Sequence, residues 1–232
     1  MGRRPGRPKV GEEILSREGI LTAALQLVDA EGVERLSMRR LAMRLGVDPM
    51  AIYRHVPDKA AVIAGMVELV FGEFQVPHIE RIVPVDADAW RAKVRAFAAA
   101  YRNVVHAHPN LIVYLVTHIE ASLPAVLTVG EYLATALHEA GLSPLQVVTA
   151  SNLIIDYLNG FALGESSGRL GQPGQYDDFF ALLAALPDDR YPTMRAIYGT
   201  LDEPTLHAHA TDGLELILAG IASWLPRDIS TS

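Results

Sequence analysis

The run LSMRRLAMRLGVDPMAIYRHVPDK, residues 36–59, sets arginines at 39, 40 and 44, an Asp-Pro pair at 48–49, and Tyr53, Arg54, His55 and Lys59 close behind. These side chains donate hydrogen bonds to anions. A phenol, an imidazole and an ammonium each suit phosphate oxygens, and a guanidinium fork suits the O6 and N7 acceptors of guanine. Elsewhere no nucleophile–base pair, phosphate loop or metal cluster has convincing spacing, so the chemistry expected is recognition rather than turnover and the chain reads as no enzyme.

Such donors work only if rigid elements aim them. Ser37 can cap a helix whose Leu41 and Leu45 lie four apart on one face, with Arg39, Arg40 and Arg44 around it. Ala42 is small where a second helix must approach, Gly46 supplies the left-handed turn that ends the first helix, and Val47 turns back into the core. Asp48 can cap a second helix with Pro49 at its first position. Ile52 and Val56 point inward, which leaves Asp48, Met50, Ala51, Tyr53, Arg54 and His55 for the outside. Two helices across a short glycine turn make a helix-turn-helix, whose second helix enters the major groove; the spacing also fits a purely structural helical hairpin. Upstream, MGRRPGRPKVG carries Arg3, Arg4, Arg7 and Lys9 in a stretch too polar and Pro/Gly-rich to pack a core. It is similar to an AT-hook arm lying in a narrow minor groove, or else it is a solvated tail.

Charge is divided along the chain: residues 1–60 hold 11 Lys and Arg against 8 Asp and Glu, and residues 61–232 hold 9 against 19. The net charge of −7 therefore does not argue against a polyanion, because a phosphate-facing surface acts locally, within about an 8 Å Debye length. A length of 232 residues with 50% hydrophobic content is ample for a core. The absence of cysteine excludes disulfides and thiolate zinc sites. No apolar run reaches the roughly 18 residues of a membrane span, and the N-terminus is no signal peptide, so a cytoplasmic protein without a membrane partner is expected.

Past residue 60 the apolar spacing predicts helix after helix: one opened by Pro57 and Asp58, one from about Asp88 to His106, then helices near 109–118, 122–139 and 143–164, separated by Pro124 and by Gly141-Leu-Ser-Pro144. A long loop is expected over 165–178, short helices near 177–186 and 191–200, and a last helix over about 203–224. No stretch holds a strand period, so the fold class is all-α, with a basic arm (1–12), a helix-turn-helix head (13–60) and a larger helical body (61–232).

With these residues in place, the chain resembles the TetR family of transcriptional regulators, and the tetracycline repressor within it, over nearly its full length. The resemblance rests on LAMRLGV..MAIYRHVPDK and its Tyr53, His55, Val56, Lys59 set, with the Trp90 helix, Gly160 and GLELILAGI (213–221) following in the family's order. It implies that Arg39 reads a guanine, that Pro49, Met50 and Ala51 touch bases, and that Tyr53, His55 and Lys59 grip phosphates; Arg54 stands where the tetracycline repressor has an aromatic residue. It also implies a homodimer on a palindromic double-stranded operator, built from the 143–164 and 203–224 helices, although both could simply be core. Where the tetracycline repressor holds a magnesium–drug chelate, this chain places Gln75, Tyr114 and Gly164, keeping Thr117 with Glu165 one residue away, so no magnesium–tetracycline complex and no resident cofactor or metal is expected.

What remains is a helix-lined cavity for a mid-sized, partly apolar effector, with Phe97, Tyr101, Tyr114, Thr117, His118, Leu133, Asn152 and Asp156 as candidate lining, each equally readable as ordinary core. His106 and His108, two apart, do not face together on a helix. The leading reading is a repressor that leaves its operator when a small molecule fills the body. A ligand-independent architectural DNA binder, or an activator with the same grip, stays open.

Overall fold

The computed structural model describes residues 15–72, 74, 89–166, 174, 176–187, 189–201 and 209–225. Among these every regular element is helical. α1 (Arg17–Glu31) opens on Ser16, whose hydroxyl accepts from the Gly19 N–H, and ends at Gly32. A single 3-10 turn, Val33–Arg35, leads into α2 (Met38–Leu45) and α3 (Pro49–Tyr53). α4 (Lys59–Gly72), α5 (Ala89–Ala107), α6 (Pro109–Thr117), α7 (Ile119–Glu139) and α8 (Pro144–Ser166) follow. α9 (Asp177–Ala185), α10 (Pro192–Tyr198) and α11 (His209–Ala222) complete the described elements.

The head is α1 to α3 around Ile20, Leu21, Leu41, Ile52 and Val56, each at most 1% exposed. Burying one such aliphatic side chain contributes roughly 1.5–3 kcal/mol. α4 joins this head to the rest, packing on α1 and on α7. At the crossing with α1 the chain has Gly65, where a Cβ would meet the Leu21 methyls at 2.6 and 2.7 Å. α5, α7 and α8 pack on one another around Val94, Phe97, Leu133, Leu137 and Ile154, all fully buried, and α11 lies on α8. Two charged ties hold the outside of this body: the Arg95 guanidinium grips both Glu215 oxygens at 2.7 and 2.8 Å, joining α5 to α11, and Lys93 reaches Glu139 at 2.5 Å. Arg95 and its relief of negative charge hold the Glu215 carboxyl below the usual carboxylate range.

Three expectations shift. Pro124 does not separate helices: α7 begins at Ile119 and runs through it. The break falls at His118, whose φ of −130° and ψ of 75° lie outside the helical region. The helix expected to begin near 143 extends to Ser166, two residues past its expected end. The last helix is described from His209 and stops at Ala222, so its expected start at 203 lies outside the described residues.

Candidate nucleic-acid interface and body cavity

The helix-turn-helix geometry is locally specified. The Ser37 hydroxyl accepts from the Arg40 N–H at 3.3 Å and so is occupied as the cap of α2. Gly46 takes φ 67° and ψ 27°, a left-handed conformation that a side chain would strain, while the Val47 N–H turns back to the Ala42 carbonyl. Asp48 Oδ1 accepts from the Met50 N–H at 2.8 Å, and Pro49 occupies the first turn of α3. With Ile52 locked in the core, Met50, Tyr53, Arg54 and His55 stand exposed, and Pro49 and Ala51 are half-buried beside them.

The arginines divide in a way their sequence spacing does not show. Arg40 is bound at 2.6 Å to Glu31 and also donates to the Arg35 carbonyl; Arg44 donates to Gln26 Oε1 at 3.1 Å. Arg39 and Arg54 are exposed, and among the described residues their side chains make no hydrogen bond or ion pair. Lys59 differs from the other outward donors. Its half-buried ammonium donates to the Val33 carbonyl at 3.1 Å, fastening α4 to the turn after α1. Arg3, Arg4, Arg7, Lys9 and Gln75 lie outside the described residues.

A cavity of about 560 Å³ opens in the body between α6, α7 and α8. Of the eight expected lining residues, Tyr101, Leu133, Asn152 and Asp156 line it. The other four are corrected by packing. Phe97 is fully buried behind the wall, ringed by Phe74, Tyr101 and Tyr132 at centroid distances of 5.6, 6.3 and 6.2 Å. Tyr114 stacks on His118 at 3.9 Å, away from the lining, and Thr117 is exposed with its hydroxyl on the Val113 and Tyr114 carbonyls. Lining residues that sequence reasoning missed include Phe71, Ile112, Leu115, Val116, Ser151 and Asn159. Asn159 was accessible to it, seven residues beyond Asn152 and so on the same side of α8. The Tyr101 hydroxyl donates to Asn159 Oδ1 at 2.5 Å, and burial pushes its pKa to about 12, so it remains a donor at any physiological pH.

α6 touches both regions. Ile112, Leu115 and Val116 line the cavity, while the other end is fastened to the head: His108 Nδ1 lies 3.0 Å from Asp29 Oδ2, and Asn110 Nδ2 donates to the Val28 and Asp29 carbonyls at 3.0 Å each.

Residues 20–66 match the family of bacterial regulatory proteins described as tetR, and residues 83–225 match the tetracyclin repressor-like C-terminal domain. The chain belongs to the TetR family. It is 30% identical over 221 residues to an HTH-type transcriptional regulator of Saccharopolyspora erythraea, across 95% of this chain and 90% of that protein. It is 31% identical over 234 residues to the HTH-type transcriptional repressor DrrR1 of Streptomyces coeruleorubidus, across 95% of this chain and 81% of the other. The TetR-family protein ActR of Streptomyces coelicolor, solved in complex with actinorhodin, has the same fold, with a TM-score of 0.72 at 24% identity over 93% of this chain and 99% of that one. This TetR-family chain is thus a transcriptional regulator with a helix-turn-helix head and a helical body. Among the described residues no helix is long and apolar enough to cross a membrane, and no group of three His, Cys, Asp or Glu could hold a metal ion.

Proposed function

We propose that this regulator is a repressor that binds a palindromic operator as a homodimer and leaves it when a small molecule fills the body cavity. The observation that carries this reading is α6, one nine-residue helix that forms a cavity wall and is bolted to the C-terminal end of α1. A ligand that prefers one position of α6 has a direct mechanical route to the head, and differential affinity for two such positions is what coupling requires. A body with a cavity of this size also speaks against a purely architectural binder. The repressor name of DrrR1 and the bound ligand of ActR fit the same reading.

On the DNA side, exposed and unengaged Arg39 is the base-reading candidate, with Arg54, Tyr53 and His55 for phosphates and Met50 for thymine methyls. Lys59 we reassign to anchoring the head. The boundary between head and body we place near residue 60, in the first turn of α4. Two-fold assembly is supported by apolar side chains that face solvent: Leu145 is 77% exposed and Val148 56% on α8, and Leu216 is 74% exposed on α11. One recognition helix reads too few bases for an operator, and pairing two of them doubles the site.

The test is selection of bound sequences from a random duplex library, then a mobility shift on the winner with and without candidate effectors. A palindrome with half-sites about one helical turn apart is expected. Enrichment of nothing beyond A·T richness would return the chain to an architectural role. Tetracycline with magnesium should not release the protein, since Tyr114 is turned onto His118 rather than toward the cavity.

A further inference from the structure

Apart from the Tyr101 hydroxyl, the polar side chains among the described lining residues lie on a single helix. Ser151, Asn152, Asp156 and Asn159 of α8 line the cavity, while Ile112, Leu115, Val116, Val129 and Leu133 make the opposite sides apolar. Three of the four polar side chains have nothing to hold. Ser151 Oγ is buried without a hydrogen-bond partner. Among the described residues the Asn152 amide and the Asp156 carboxylate, both exposed to solvent, also make no hydrogen bond or ion pair. Among the described lining residues Asp156 is the one charged side chain, and none is Lys or Arg.

A carboxylate at the rim of an apolar chamber, with no cation beside it among the described residues and with unpaired amide and hydroxyl groups next to it, is complementary to one kind of molecule. We infer that the effector is an amphiphile with an apolar, ring-sized body and a protonated amine at its solvent end, the ammonium resting on Asp156 and hydroxyl or carbonyl groups meeting Ser151 and Asn152. The inference rests on the reading of this cavity as the effector site. The body of the ligand gains by leaving water, and its cation pairs with a carboxylate whose charge is otherwise unanswered. An acid of the same shape would set two negative charges together and lose affinity. Because the Asp156 carboxylate is exposed in the single chain, the selectivity it confers is modest, roughly three- to tenfold between an amine and its neutral counterpart.

The test is fluorescence titration of the full-length protein with three probes of one shape: anthracene carrying an aminomethyl, a hydroxymethyl or a carboxylate group. The amine should bind most tightly and the carboxylate least. In Asp156→Asn the amine should fall to the level of the hydroxymethyl compound. Gly130→Leu serves as the block: Gly130 lines the cavity and a Cβ there meets nothing within 4 Å, so this wall has room for a side chain, and the leucine should weaken binding of all three by taking up part of the chamber. Equal binding of the three, weakened by Gly130→Leu and unmoved by Asp156→Asn, overturns the charge assignment and leaves the effector cavity standing. No binding by any probe, or binding that Gly130→Leu leaves intact, overturns the cavity reading with it. A change in dimer dissociation in Asp156→Asn, with selectivity unmoved, would place the carboxylate at a subunit contact and refute the inference.

Discussion

Asn110→Ala isolates the bolt between the effector cavity and the DNA-binding head. The side chain gives two N–H bonds, each 3.0 Å, to the carbonyls of Val28 and Asp29 in the last turn of α1. Both bonds are half-buried; Val28 keeps a second partner in the Gly32 N–H at 2.7 Å, so of the two carbonyls only that of Asp29 loses its partner. At about 0.5–1.5 kcal/mol net per neutral hydrogen bond, the loss should total about 1–3 kcal/mol. Asn110→Asp should cost more than the alanine change. It keeps the volume but turns a carboxylate toward two carbonyl oxygens at the negative end of the α1 dipole, next to Asp29. The assay is urea denaturation of the full-length dimer followed by helical circular dichroism, with mobility shifts on the selected operator alongside. Stability should fall in the order wild type, alanine, aspartate, and an effector should release the alanine variant less completely because α6 no longer drags α1. An alanine variant within about 0.5 kcal/mol of wild type, or an aspartate variant at least as stable as the alanine one, would refute the bolt.

The remaining expectations follow from the same contacts. Arg39→Ala should lose about 1–3 kcal/mol on the selected operator and much less on random duplex, measured by competition mobility shift; equal losses would make Arg39 a phosphate clamp. Lys59→Ala should lower the stability of the protein by about 1–2 kcal/mol, because a buried carbonyl contact goes with it, while changing the slope of affinity against salt far less than Arg54→Ala does. Glu215→Gln carries a pH signature. The Glu215 carboxyl is held below its ordinary value chiefly by the Arg95 hydrogen bond, so its contribution is present above the unfolded value near 4.5 and is lost as pH falls through the lower folded one. Denaturation at a series of pH values should show wild type and variant converging in acid and separating toward neutrality; a gap that stays constant down the acid range would contradict the assignment.

Local chemistry settled the head from sequence. Ser37, Gly46, Asp48 and Pro49 act on backbone groups two to five residues away, so the two helices and their turn follow from short-range geometry whatever the rest of the chain does. The inward faces of Leu41, Ile52 and Val56 followed from helical period for the same reason. Helical period also found most of the body's helices. It overweighted Pro124, because the cost of a proline near a helix start depends on what the helix gains elsewhere.

Tertiary structure decided which residues are available. Arg39 and Arg40 are neighbours in one helix, yet Arg40 is taken by Glu31, nine residues upstream, and Arg44 by Gln26, 18 upstream, while Arg39 is left to solvent. Lys59 is held by Val33, 26 residues away, and Asn110 by Val28, 82 away. The cavity shows the same limit. Helical period places Phe97 and Tyr101 on one stripe of α5, but the rotation of that helix against α7 and α8 seals Phe97 into the core and opens Tyr101 to the chamber. A side chain's direction about its own helix axis is written in the local sequence. What it meets there depends on partners brought in by hydrophobic packing across the whole chain, and that assembly has no local signature.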